Sequence, residues 1–226
     1  MYAVLNSKYI AASQHFTEKD SSRPYTEGIY IEPHPSGGVY IVATNGAALS
    51  VFYDAEGSAD KDVLVSLNKN FLAEIRKQEE AVVVLEGEPG NSAATLVRKI
   101  KAGGLNDYLD VAERGAKHPN WITAIGDVFM DWSFPAWRRV IPRPAEKQPQ
   151  SFSVQKKVFD MFFKAFGELG LKGVDNHVCL HQSEASGAIL VRTEQVPEFL
   201  GVAMPVNFNP SFMPDWLESS HELQAA

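Results

Sequence analysis

Cysteine is almost absent from this chain of 226 residues: Cys179 stands alone, so no disulfide framework is available and a reducing, cytoplasmic setting is the natural expectation. No apolar run is long enough to cross a bilayer, and the opening Met-Tyr-Ala-Val-Leu-Asn-Ser-Lys lacks the basic-then-apolar layout of a signal peptide. Basic residues are in the minority, 21 against 28 acidic, for a net charge of −7. That excess argues against a simple basic coat for nucleic acid. It leaves room for a protein that gathers its Lys and Arg on one surface, because local fields outweigh the total. Phosphate-cradling glycine loops, nucleophile elbows and zincin motifs are all missing, so neither an enzyme nor a cofactor is expected.

What is present is short strands separated by turns, with a few amphipathic helices. A helix is expected near residues 6–16, capped by Asn6 or Ser7, with Tyr9, Ala12, Ser13 and Phe16 on one face. Residues 17–27 read as a polar loop broken by Pro24. Strands are expected over Gly28–Glu32 and Val39–Thr44, and Asn45-Gly46 turns the chain into a second apolar run through Phe52. Residues 54–62 read as a surface loop, and Val63–Leu67 as a strand. Asn68 then opens a helix to about Gln78 with Phe71, Leu72 and Ile75 inward. A hairpin over Ala81–Glu86 and Ala93–Arg98 follows, then a poorly patterned stretch (99–133) containing a helical turn at Asp107–Glu113. The Pro-rich connector 143–149 marks the boundary between a domain at 1–142 and a partial one at 143–206, with a tail at 207–226. The partial domain has a strand at Ser151–Val154 and a helix at Gln155–Phe166 with Phe159, Phe162, Phe163 and Phe166 as its core stripe. Strands at His177–Gln182, Ala188–Arg192 and Leu200–Val206 complete it.

The order repeats. Ser66-Leu67-Asn68-Lys69-Asn70-Phe71-Leu72 lies over Ser153-Val154-Gln155-Lys156-Lys157-Val158-Phe159, and Ala94-Thr95-Leu96-Val97-Arg98 lies over Ala188-Ile189-Leu190-Val191-Arg192. Residues 1–53 form a looser first copy. The fold class is therefore α+β: repeated βαββ-type units with one helix each on a common face and antiparallel sheet outside. Lys69, Arg76 and Lys77 share one side of the second helix, and Lys156, Lys157 and Lys164 the surface of the third, with Glu74 and Asp160 partly offsetting them.

Three remote segments carry a resemblance. Residues 43–49 read Ala-Thr-Asn-Gly-Ala-Ala-Leu, Phe134–Pro142 reads Phe-Pro-Ala-Trp-Arg-Arg-Val-Ile-Pro, and Val202-Ala203-Met204-Pro205 closes the last strand. In this order they resemble the Ala-Thr-Asp-Gly-His-Arg-Leu, Phe-Pro-Asp-Tyr-Arg-Arg-Val-Leu-Pro and Val-x-Met-Pro segments of the bacterial DNA polymerase III β subunit, the sliding clamp. The resemblance spans roughly residues 10–206. It implies a shortened, divergent clamp-like chain, of a kind a phage or mobile element could encode, built from repeated βαβββ-type half-units with helices on the concave face. By position, it implies a peptide pocket made by Thr44, Gly46, Leu49, Pro135, Arg139, Val140, Val202, Met204 and Pro205. It also implies non-specific contact of the basic helix faces with duplex DNA, partner peptides from polymerases or other replication proteins, and a head-to-tail homo-oligomer. Ala47-Ala48 replaces the family's His-Arg, about three half-units stand where the family has six, and the tail after Val206 has no counterpart.

Blander readings compete. The cationic faces could be plain solvated surface, and the protein could be a free-standing interaction module that neither closes a ring nor holds DNA. An unrelated α+β enzyme is a third reading, for which no site is found. His177, Cys179 and His181 share a strand face, but an ordinary strand with Val178 and Leu180 inward explains them without a metal. Asp107, Asp110, Asp127 and Asp131 lie in an irregular polar region rather than a catalytic arrangement. The tail carries Phe208, Phe212, Met213, Trp216 and Leu217, which leaves two readings open: it packs over the pocket or a neighbouring subunit, or it is a disordered terminus.

Overall fold

The structure, a computed structural model, describes residues 1–20, 22–98, 121–141, 153–171, 177–182 and 187–206. The expected helical turn at Asp107–Glu113, the connector and the tail lie outside these residues.

The first strand, β1 (Tyr2–Asn6), is absent from the sequence expectation, whose first element is the helix that begins near residue 6. Its three central residues are buried, and it is a strand only because β7 (Ala81–Glu88) lies beside it, with Val4 opposite Val84. Asn6 ends β1 and caps α1 (Ser7–Ser13), its side chain accepting from the Lys8 N–H at 3.0 Å. A 3-10 turn at Gln14–Phe16 carries the helix on to the fully buried Phe16.

Strands β2 (Ile29–Pro33), β3 (Val39–Thr44) and β4 (Ala48–Asp54) follow as an antiparallel meander. The next residues are not all surface loop: Asp54 is buried, and Ser58–Ala59 forms the short β5 against β1. After β6 (Val63–Val65), Asn68 caps α2 (Lys69–Arg76) by accepting from the Phe71 N–H, and Phe71, Leu72 and Ile75 are buried as expected. Strands β7, β8 (Asn91–Arg98) and β9 (Trp121–Gly126) form the second meander, and β10 (Phe129–Met130) pairs with β6. The third unit holds α3 (Lys156–Glu168), β11 (Cys179–Gln182), β12 (Ile189–Arg192) and β13 (Phe199–Ala203).

Two sheets result, ordered β5-β1-β7-β8-β9 and β10-β6-β2-β3-β4-β13-β12-β11. The first two units exchange their opening strands: β1 enters the sheet of the second unit and β6 that of the first. The third unit joins through its last strand, β13 pairing with β4 from Phe199–Phe52 to Ala203–Ala48, so one sheet runs across the 142/143 position. The three helices pack together over the inner faces, where one core runs from Leu5 and Ile10 through Phe52 and Phe71 to Phe162 and Phe199.

The core stripe of α3 differs from expectation. Val158, Met161, Phe162, Ala165 and Phe166 face the core, Phe159 is half-buried, and Phe163 is 44% exposed. An i, i+3, i+4, i+7 pattern fits two overlapping stripes on one helix. The approach of α3 to the sheet and to α1 selects the stripe containing the smaller Val158 and Ala165.

Candidate functional site

The turn at Asn45-Gly46 is braced from inside. Asn45 is 4% exposed, and its Oδ1 accepts from the N–H groups of Ala47 (3.0 Å) and Ala48 (2.9 Å). Only Gly46 takes positive φ, at +85°. The loop is thus a three-residue connection with glycine at the left-handed position, rather than a two-residue turn with both residues there. Thr44 Oγ1 donates to the Ala48 carbonyl (2.8 Å) and accepts from the Gly46 N–H (3.1 Å). The Met204 N–H donates to the Ala47 carbonyl at 2.9 Å, tying the end of β13 to this turn.

Residues 134–141 lie over the outer face of the larger sheet. Trp137 opens a 3-10 turn through Val140 and sinks to 6% exposure against Val42, Leu49, Val51 and Val202. Its Nε1–H donates to Glu32 at 3.0 Å, and the Arg138 guanidinium bridges to the same carboxylate at 2.8 Å while covering the Trp137 ring at 4.1 Å. Burial opposes the charge on Glu32, but the Arg138 and Trp137 hydrogen bonds outweigh it and hold the carboxyl below its ordinary range. Arg138 is therefore a clamp that fixes the segment to the sheet.

Between the turn, this segment and the end of β13 lies an apolar cavity of about 210 Å³. Thr44, Gly46, Ala47, Ala48 and Leu49 form one side, Pro135, Ala136, Trp137 and Val140 another, and Val202 and Met204 a third. Of the nine pocket residues expected from the sequence, the structure brings together Thr44, Gly46, Leu49, Pro135, Val140, Val202 and Met204. Arg139 and Pro205 are not in the lining. Arg139 is exposed at the third position of a 3-10 turn whose first residue, Trp137, takes the buried place. Val140 (46% exposed) and Met204 (44%) leave the mouth apolar.

The polar loop 17–27 supplies two residues that sequence reasoning left out. Tyr25 closes the fourth side of the cavity and meets Phe134 edge-on. Arg23 lies so close to Gly46 that a Cβ there would collide with its Nη1. Asp20 holds the other edge of that guanidinium, accepting from Nε at 2.8 Å, and hydrogen bonds from Ser22 and Arg23 lower the Asp20 pKa to about 2. The buried Thr26 fastens the loop, its Oγ1 donating to the Glu18 (2.7 Å) and Arg23 (2.8 Å) carbonyls. Arg23 thus stands at the rim where Ala47-Ala48 offer no charge. Its only sequence signal was an Arg-Pro-Tyr run before a strand.

On the helix side, Lys69, Arg76, Lys77, Lys156, Lys157 and Lys164 are all exposed. Four have acidic neighbours: Lys77 with Glu74 (2.6 Å), Lys156 with Asp160 (2.5 Å), Lys157 with Glu18 (3.6 Å) and Arg76 with Glu168 (2.7 Å). The same Glu168 oxygen lies 2.9 Å from His15 Nε2, so one carboxylate links α2, α3 and the end of α1. Among the described residues, Lys69 and Lys164 pair with no acid. His177, Cys179 and His181 are exposed, Val178 and Leu180 pack inward, and no three His, Cys, Asp or Glu side chains among the described residues could share a metal ion.

This arrangement of exchanged strands, continuous outer sheet and inner helices is the fold of the bacterial sliding clamp. The clamp of Borrelia burgdorferi, solved in complex with a natural product, superposes with a TM-score of 0.59 at 10% identity over 92% of this chain and 65% of that one. The clamp of Pseudomonas aeruginosa gives 0.57 at 15% identity over 90% and 66%, and that of Thermotoga maritima 0.57 at 12% over 92% and 66%. The chain spans about two thirds of the length of these clamps. No family model and no curated protein matches its sequence.

Proposed function

We propose that this protein is a clamp-like tethering factor without catalytic activity. It holds a short partner peptide in the cavity and contacts duplex DNA non-specifically through its helix face. The observation that carries the reading is the convergence of Thr44–Leu49, Pro135–Val140 and Val202–Met204 on one apolar cavity. An extended peptide seats a Leu or Phe side chain against Leu49, Val202 and the adaptable Met204, and Arg23 supplies the cation at the rim. On the other face the lysines meet phosphates without reading bases, so affinity falls steeply with salt.

Two measurements test it. A fluorescein-labelled peptide with adjacent Leu and Phe anchors is expected to bind in anisotropy titrations, and failure to bind removes the cavity from the function. Retention on circular but not linearised DNA is expected of a ring that encircles the duplex, and equal retention on both forms rejects encirclement.

A second reading has its own observation in favour. Four of the six cations on the helix face sit beside acids, which suits an interaction module that binds peptides without holding DNA. Peptide binding together with no DNA retention at low salt selects that reading. For the tail, deletion of residues 207–226 is expected to raise peptide affinity, and unchanged affinity dismisses an inhibitory role.

A further inference from the structure

A second cavity, of about 510 Å³, opens beside the first, and one ring separates them. Phe134 meets Tyr25 of the first cavity edge-on at 6.1 Å and stacks flat on Tyr30 at 4.8 Å, and that stack lines the second cavity. The divide falls between neighbouring residues, since Pro135 lines the first cavity and Phe134 the second. Every residue lining either one is among those described.

Trp132 stands in the second lining with 58% of its surface exposed. Two carboxylates share that lining, Asp62 and Asp131. The Tyr30 hydroxyl donates to Asp62 at 3.0 Å and holds it beside the ring stack. Burial and this bond push the Tyr30 phenol well above its ordinary range, so it stays a donor. Asp131 has no cation beside it among the described residues. Of the two cations in the lining, the Met1 amino group is engaged, donating to the Gly87 carbonyl at 3.0 Å with Asp60 at 4.0 Å. Lys61 is left against two carboxylates.

What such a set binds is visible five residues further on. There the Arg138 guanidinium covers the Trp137 ring at 4.1 Å and pairs with Glu32 at 2.8 Å, so indole face, carboxylate and guanidinium satisfy one another. At Trp132 the indole and the carboxylates are present, and among the described residues no cation covers the ring. The absent member is a guanidinium.

We propose that the second cavity takes an arginine side chain of the same partner peptide, stacked on Trp132 with Asp131 and Asp62 as counter-charges. The occupant is the flank of that peptide because the two cavities are contiguous. Trp132 and Pro135 are three residues apart, so their Cα atoms stand within about 11 Å, a span that three or four extended residues cover. Lysine fits less well, because its ammonium lacks the flat face that stacks on an indole. The inference rests on the peptide reading above and adds a second point of recognition to it.

Anisotropy titrations with a peptide series test it. The parent carries the Leu-Phe anchor between alanines, and each other member has one Arg about two to five positions before or after the anchor. One member, or two neighbouring ones, is expected to bind about fivefold more tightly than the parent at physiological salt. In Trp132→Ala that gain is expected to shrink to about twofold or less. Asp131→Asn, a near-isosteric change at an exposed carboxylate, is expected to remove part of it, with circular dichroism confirming that both variants fold. Lys in place of the best Arg is expected to keep less than half of the gain. No gain at any position overturns the proposal. So does a gain spread evenly over all positions, or one that Trp132→Ala leaves whole, since either belongs to the net charge of −7 rather than to this cavity. A parent that binds no better than a scrambled peptide defeats the first-cavity reading and this inference with it. A parent that binds, with no Arg position that helps, defeats this inference alone.

Discussion

The cavity and the helix face are built on opposite principles. The cavity is a meeting of backbone positions: Leu49 and Val202 are register partners on β4 and β13, and Trp137 is pinned over them by Glu32 and Arg138. Its apolar walls have no competitor for their place, because hydrophobic side chains on a sheet face are either covered or costly. The helix face is a set of long, solvated side chains, and four of its six cations have acids close by. Apolar shape is fixed by the fold, whereas surface charge depends on what stands next to it.

The strongest way to break this contrast is to charge the cavity. Val202→Arg is expected to abolish binding of a Leu-Phe peptide and to cost several kcal/mol, on the order of 3, because a 2% exposed wall residue becomes an unpaired charge. Met204→Glu, at the half-exposed mouth, tests the same wall with the fold intact and is expected to weaken the peptide about tenfold by anisotropy. Binding unchanged in both would mean the peptide sits elsewhere.

Next in size is the helix face. The triple change Lys156→Glu, Lys157→Glu, Lys164→Glu is expected to reduce low-salt DNA retention at least about tenfold and leave peptide affinity alone. No loss of retention would place any DNA contact off α3. Gly46→Ala then asks how rigid the cavity rim is. Alanine at φ +85° costs about 1–2 kcal/mol, and its Cβ displaces Arg23, so both the thermal midpoint and peptide affinity are expected to drop. Glu168→Gln releases Arg76 and is milder than these. DNA affinity is expected to rise a few-fold, about the worth of one partly exposed ion pair, and a fall would show that Glu168 chiefly holds the helices in register.

Two carboxylates give the smallest effects, of opposite sign with pH. Asp20 has a folded-state pKa of about 2, below its ordinary value, so its hold on Arg23 is complete above about 4 and is lost as pH falls towards 2. Asp54 is buried, and burial pushes its carboxyl up despite hydrogen bonds from the Asn6, Gly57 and Glu56 amides. Its folded pKa lies above the unfolded one, so its contribution to stability falls as pH rises through that window. Asp54→Asn is expected to flatten this slope in thermal melts from pH 4 to 7, and an unchanged slope would assign it to another group.

Local chemistry announced some elements and not others. Asn68 before a Phe-Leu-x-x-Ile pattern, Asn6 before a short helix and Asn45-Gly46 between apolar runs each combine a cap or turn with periodicity, and the chain folds there as those residues direct. β1 carried no such signal, because five residues become a strand only when Val82–Glu86 lie beside them. The α3 stripe was half legible, since periodicity gave the helix but not which of two overlapping stripes would face the sheet. At the cavity, seven residues were within reach of motif and order, whereas Tyr25 and Arg23 belong to a loop whose importance is that it folds back over Gly46.

The three cavity segments were legible through their resemblance to those of the sliding clamp, and the sequence by itself determined the α+β units, their repeat, and their caps and turns. These follow from interactions a few residues long. Only the tertiary structure decided that units one and two exchange strands, that β13 seals onto β4, that Glu168 and Glu18 stand beside Arg76 and Lys157, and that Arg23 rather than Arg139 lies against the Gly46 turn. Each of those depends on contacts between residues twenty to a hundred and fifty positions apart, roughly the span over which chain closure rather than local preference sets the outcome.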